Sequence, residues 1–145
     1  MTLEIIDCHF HPAVDEETDT SWFYPSGSIK HQIDTLRRAG IFQACGAPVK
    51  VFTPRSFDEI RLLNNKALAL RDEFPDFYIP GIQVHPHFPD ESCREIERCC
   101  GGEGVGWIGE LVGYMMGYGV DFATNSALEI MQTAKGYEAV VNIHC

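Results

Sequence analysis

No apolar run in this sequence approaches the roughly 18–20 residues needed to span a bilayer. The opening residues, Met1 to Asp7, lack the basic segment of a secretory signal and carry Glu4 and Asp7 within and beside their apolar stretch, so the expected compartment is the cytoplasm. Positive charge is scarce as well: 11 Lys and Arg stand against 21 Asp and Glu, a formal net charge of −10. A nucleic-acid binder usually presents a basic patch to phosphates, and no such cluster occurs here. The six cysteines, Cys8, Cys45, Cys93, Cys99, Cys100 and Cys145, form no C-x-x-C and no disulfide framework, and they read as reduced and mostly structural. Internal repeats and low-complexity linkers are missing too.

What is present is an ordinary globular composition, 145 residues with 45% hydrophobic and 22% charged, enough for one domain. Short apolar runs alternate with helical patterns. Strands are expected over Leu3–Phe10, Ile41–Pro48, Phe77–Val84, Val105–Val112 and Ala139–Cys145. Between them, Ser28 can cap a helix carrying Ile29, Ile33 and Leu36 and stopped by Gly40. Ser56-Phe57-Asp58-Glu59 is a capping box opening a helix whose stripe is Ile60, Leu63, Ala67, Leu70 and Phe74. Asp90 leads a polar helix with Cys93, Ile96 and Cys100 on one face, and Thr124 or Asn125 caps a fourth through Leu128, Met131 and Ala134. Strand–helix alternation of this kind predicts a parallel sheet, because parallel strands need crossovers. Both a doubly wound sheet and a β/α barrel satisfy it.

The strand ends separate the two. Residues two apart on a strand share a face, so Ile6, Cys8 and Phe10 form an apolar face and Asp7, His9 and His11 a polar one. Gln83, His85 and His87 share a face of the third strand, Asn142 and His144 of the fifth, and Glu110 ends the fourth with Ile108 below it. Polar groups thus gather at the carboxyl ends of four strands. A doubly wound sheet buries both faces under helices and would strand such groups, whereas in a barrel they rim a pocket. The expected fold is an α/β TIM-type β/α barrel, incomplete, with about five strands and four helices. Imidazoles and a carboxylate so placed suit Zn²⁺, Mn²⁺ or a similar divalent ion that activates water, with Asp7 and Asn142 as orienting partners. Taken singly, His85-Pro86-His87 also reads as a solvated turn, Glu110 as a paired structural acid and His144 as idle near the terminus.

At these residues the sequence resembles the amidohydrolase superfamily of metal-dependent hydrolases. Ile6-Asp7-Cys8-His9-Phe10-His11 is similar to the family's first-strand H-x-H, and Val84-His85-Pro86-His87 and Ile108-Gly109-Glu110-Leu111 resemble segments of its TatD-like branch. Val141-Asn142-Ile143-His144 resembles the fifth-strand histidine segment, while the Gly-Glu-Leu segment also fits the amidohydrolase-2 group. The resemblance implies that His9, His11, Glu110 and His144 hold a divalent metal (Zn, or Mn or Mg), with His85 and His87 as substrate contacts. It also implies hydrolysis of a small-molecule amide, ester or related bond, with a TatD-like metal-dependent deoxyribonuclease as the alternative. The chain departs from the TatD pattern at Val112-Gly113-Tyr114, and the family's sixth-strand histidine and proton-transferring eighth-strand aspartate have no counterpart before Cys145. A PHP-type phosphoesterase also opens with H-x-H, but its usual Thr or Ser is Pro12 here; a non-catalytic half-barrel is the remaining alternative.

Two loops, Pro12–Gly27 with Trp22, Phe23 and Tyr24, and Gly113–Phe122 with Tyr114, Met115, Met116 and Tyr118, are expected to shape the barrel mouth. The loops flanking the strand ends offer Arg55 as their one noted cation, which favours a small molecule over nucleic acid as partner. An open barrel of five strands leaves two edges uncovered, with Ile5, Ile108 and Val140 expected to be exposed. The chain by itself should therefore associate or be completed by further chain; sedimentation as a stable monomer with sharp cooperative unfolding would refute this.

Overall fold

The computed structural model describes residues 3–18, 27–119 and 124–144. Five strands, β1 (Ile5–Asp7), β2 (Ile41–Gly46), β3 (Tyr78–Ile82), β4 (Trp107–Leu111) and β5 (Val140–Ile143), are separated by four helices, α1 (Ile29–Arg38), α2 (Phe57–Glu73), α3 (Pro89–Ile96) and α4 (Asn125–Gly136). The strands are parallel and lie in the order β1-β2-β3-β4-β5. Each new strand joins the same side of the sheet without the reversal that defines a doubly wound sheet. Winding that continues in one direction curls the sheet towards a barrel, and the result is an incomplete TIM-type β/α barrel. Trp22, Phe23, Tyr24, Phe122 and Cys145 lie outside the described residues.

Local sequence explains the helices. Ser28 accepts the His31 N–H at the start of α1, and Thr124 accepts the Ala127 N–H at the start of α4. At α2 the Glu59 carboxylate reaches back to the Arg55 and Ser56 N–H groups, the reciprocal arm of the capping box. Pro89 opens α3 one residue earlier than expected, since its missing N–H is not needed in a first turn. The same helix runs on as a π-type turn over Glu97–Gly102. That extra width turns Cys99 inward beside Ile96, both fully buried, leaving Cys100 at the margin.

One core cluster joins Leu68 of α2, Ile82, Ile96, Cys99, Ile108, Leu111 and Ile130; another joins Phe10, Ile33, Ala44, Ala67, Leu70, Phe77 and Tyr78. Two expectations fail at the strands. Of the apolar face proposed for the first strand only Phe10 is buried; Ile6 is 49% exposed and Cys8 is exposed. β1 is an edge strand paired only with β2, so its apolar side chains lack a second neighbour. Ile108 is wholly buried, not exposed, whereas Ile5 and Val140 at the two edges are 47% and 51% exposed as expected. The five cysteines among the described residues are free, and no described helix is long and apolar enough to cross a membrane.

Between α2 and α3, Glu95 is buried, receiving Arg98 at 2.7 Å and the Asn64 amide at 3.0 Å. Burial alone would raise its pKa, but the Arg98 and Asn64 hydrogen bonds and the Arg98 and Arg61 charges outweigh it, leaving the carboxyl below its ordinary value. A carboxyl with a depressed folded pKa contributes stability that is full above its unfolded value of about 4.3 and is lost as pH falls through the folded one. Glu95→Gln should therefore cost about 1.5–3 kcal/mol at pH 7 and flatten the acid limb of a urea-unfolding series. An unchanged acid limb would refute it.

Candidate metal centre

β1 ends at Asp7, and the chain continues through His9 and His11, both of which meet Glu110 of β4. The Asp7 carboxylate accepts the His9 backbone N–H at 2.9 Å, so it fixes the backbone of the H-x-H segment. His11 is buried, and its Nδ1 lies 3.1 Å from the carbonyl of Ala47, just past β2. A carbonyl only accepts, so Nδ1 carries the proton and Nε2 of the neutral ring presents a lone pair. Burial, the largest influence, holds the His11 pKa below its ordinary value, against the opposing pull of the Ala47 bond and the Glu110 charge. The ring is therefore neutral near pH 7.

Glu110 arrives from β4. Strict alternation would put it on the same face as Ile108, but the pairing of β4 with β5 shifts register between Ile108 and Leu111. Gly109 within that shift has φ +99°, a conformation open to glycine. The Gly109–Glu110 peptide is cis. The irregularity leaves Ile108 and Leu111 in the same outer core and turns Glu110 inward. Its Oε2 lies 3.2 Å from Nε2 of both His9 and His11, and its Oε1 lies 3.1 Å from Nδ1 of His144.

His9, His11 and Glu110 thus place one ligand atom each within 4.8 Å of one another. His144 joins through the second carboxylate oxygen, and the exposed Tyr114 ring sits 5.4 Å from its imidazole. The pair His11–Glu110 tests whether a cation fits. With Nδ1 donating to Ala47, the neutral ring sets Nε2 and Oε2 3.2 Å apart as two acceptors, a contact that a proton on the ring or a cation between them makes favourable. Two ligands each about 2.0–2.2 Å from one ion would lie roughly 3–3.5 Å apart, as these do. Nitrogen and carboxylate donors suit Zn²⁺ or Mn²⁺. The residues fit a divalent ion.

The two histidines expected to touch substrate lie outside the His9–His11–Glu110 group. His85 is buried, its Nε2 lies 3.0 Å from the Met116 carbonyl, and its Nδ1 accepts the His87 N–H at 3.1 Å. With both nitrogens engaged and burial lowering its pKa, His85 ties the loop after β3 to the loop after β4. His87 packs its ring against His85 at 4.9 Å and is not part of the His9–His11–Glu110 cluster. His85→Leu should orphan the Met116 carbonyl and the His87 N–H and cost roughly 2 kcal/mol by chemical denaturation. Metal content should be unaffected; a variant that lost its metal would return His85 to the site. Sequence reasoning missed the Ala47 carbonyl, which has no side-chain signal, and overlooked Lys50 in the loop after β2, where Glu17 engages it at 3.2 Å.

No protein-family model and no curated protein matches the sequence. Solved structures do. The 4-oxalomesaconate hydratase from Rhodopseudomonas palustris matches with a TM-score of 0.70 and 17% identity over 97% of this chain and 52% of its own. A 5-carboxyvanillate decarboxylase from Novosphingobium aromaticivorans, solved with manganese and 3-methoxy-4-hydroxy-5-nitrobenzoic acid, matches at 0.66 and 15%, over 97% of this chain and 49% of its own. The 2,6-dihydroxybenzoate decarboxylase from Rhizobium matches at 0.64 and 14%, over 94% and 47%. The likeness at this identity is one of fold, and the chain spans about half the length of each. Fold and site together define an incomplete β/α barrel with a His/His/Glu cluster at the carboxyl ends of its strands.

Proposed function

We propose that this chain is the metal-holding part of a metal-dependent enzyme of the amidohydrolase superfamily, nearer the amidohydrolase-2 group than the TatD-like branch, acting on a small molecule. The observation that carries it is His11. Its ring is held with the Nε2 lone pair towards a carboxylate oxygen 3.2 Å away, an arrangement a bound cation relieves. His9, His11 and Glu110 would hold the ion, with His144 at the other Glu110 oxygen. When bound, a divalent ion supplies Lewis acidity, lowering the pKa of water to about 7 and polarising a carbonyl. The chain supplies position: Ala47 fixes the His11 tautomer, Asp7 fixes the His9 backbone, and Tyr114 walls the side of His144.

Hydrolysis of an amide, ester or related bond is the reaction that the sequence resemblance suggests. A second reading, addition or removal of a group at a carboxylated small molecule, is favoured by the fold neighbours, one a hydratase and two decarboxylases. A nucleic-acid substrate is disfavoured by the charge of −10, and Lys50 and Lys66 are both engaged by acids. The test is metal analysis of the purified protein, followed by assay with and without added Zn²⁺ or Mn²⁺. The substrates are activated esters and amides, hydroxylated aromatic carboxylates with CO₂ release as readout, and single-stranded DNA at several salt concentrations. A folded protein that retains no divalent ion would sink the proposal. Metal-dependent, salt-sensitive degradation of DNA would overturn the small-molecule assignment.

A further inference from the structure

We propose that Gln83, which offers no ligand to the candidate ion, is the positioning residue of this centre, its carboxamide setting the spacing between His11 and Glu110. The proposal rests on the metal reading above. Gln83 follows β3 directly and is wholly buried. Its Nε2 donates to the backbone carbonyl of Glu110 at 3.0 Å and, at the longer distance of 3.5 Å, to that of Pro48. Pro48 adjoins Ala47, whose carbonyl orients the His11 ring. One amide group therefore bridges the end of β4, which carries the carboxylate, and the end of β2, which aims the imidazole.

Gln83 is itself held from outside the barrel. Asn64 on α2 accepts the Gln83 backbone N–H at 2.7 Å and donates to the Gln83 carbonyl at 3.0 Å, and its amide also donates to Glu95 at 3.0 Å. The clamp thus runs from the Glu95 carboxylate through Asn64 and Gln83 to the backbone of Glu110. Packing alone does not account for a glutamine here. Its Oε1 is buried with no hydrogen-bond donor among the described residues, a net cost that an apolar side chain of similar volume would avoid. The donors on Nε2 are what such a side chain would lose.

The experiment is titration of the metal-free protein with Co²⁺, following affinity and the visible absorption spectrum, beside a thermal melt without metal. Gln83→Met keeps the volume and removes the donors. It should weaken Co²⁺ binding about 10–100-fold, the range for partners that orient a ligand, and shift the absorption bands as His11 and Glu110 move apart. Gln83→Glu, which keeps the shape but lacks the N–H donors, should move in the same direction and covers failure of the methionine variant to fold. Ser28→Ala is the structural control: it removes the side-chain cap of α1, so it should lower the melting temperature and keep the wild-type spectrum. Wild-type affinity and spectrum in both folded Gln83 variants would overturn the positioning role while leaving the metal centre standing. A folded wild type that binds no Co²⁺ would remove both.

Discussion

His11→Ala should leave the protein unable to retain a divalent ion after gel filtration, with affinity reduced by more than the roughly 10–100-fold that loss of an orienting partner produces. His11 is the member of the cluster with least freedom: buried, neutral, and locked by the Ala47 carbonyl with its lone pair towards Glu110. Truncation removes one donor and also leaves a buried carboxylate facing a void. His9→Ala should reduce metal content too, but less steeply, because that imidazole is 60% exposed and a water can take its place. His87→Ala should retain the wild-type content, since its ring lies against His85. Metal analysis of the three variants against the wild type decides the matter. Equal metal in wild type and His11→Ala would show that the ion is held by other residues and would remove this centre.

Gly109→Ala carries the largest expected effect on folding. At φ +99° an L side chain is strained, a cost of order 1–3 kcal/mol, and here space is lacking as well. A Cβ would run into the Asn142 carbonyl of β5 and meet the Leu111 N–H at 2.7 Å. To make room β4 and β5 must separate, and the outer core formed by Ile108, Leu111 and Ile130 opens with them. A loss of roughly 3 kcal/mol or more in urea unfolding is expected, together with weakened metal binding, because Gly109 sits within the irregularity that turns Glu110 inward. Gly102→Ala is the comparison, as a Cβ there meets nothing within 4 Å. It should cost far less. A Gly109 variant as stable as wild type would show that β4 can accommodate the side chain, and that the inward turn of Glu110 does not depend on glycine.

The sequence by itself determined the elements and their order. Capping residues at Ser28, Ser56 and Thr124 or Asn125, apolar stripes at helical spacing and short apolar strands are local signals, decided within a turn or two of chain. Alternation along a strand was also enough to bring His9 and His11 to one side. Tertiary structure decided wherever a partner lies far away along the chain. His11 meets a carboxylate 99 residues on, and its tautomer is set by a carbonyl 36 residues on that no side chain announces. Alternation failed at Ile108 and Glu110, because a register shift breaks the two-residue period and only the neighbouring strand reveals it. It put His85 on the polar face of the third strand, but not against the Met116 carbonyl that its ring meets. Whether an imidazole at a strand end binds a ligand or ties two loops depends on what surrounds it, and for His85 that is Met116, Phe88 and Tyr118. Periodicity is a property of one segment, whereas a site is a property of several brought together, and only the curl of the sheet brings them there.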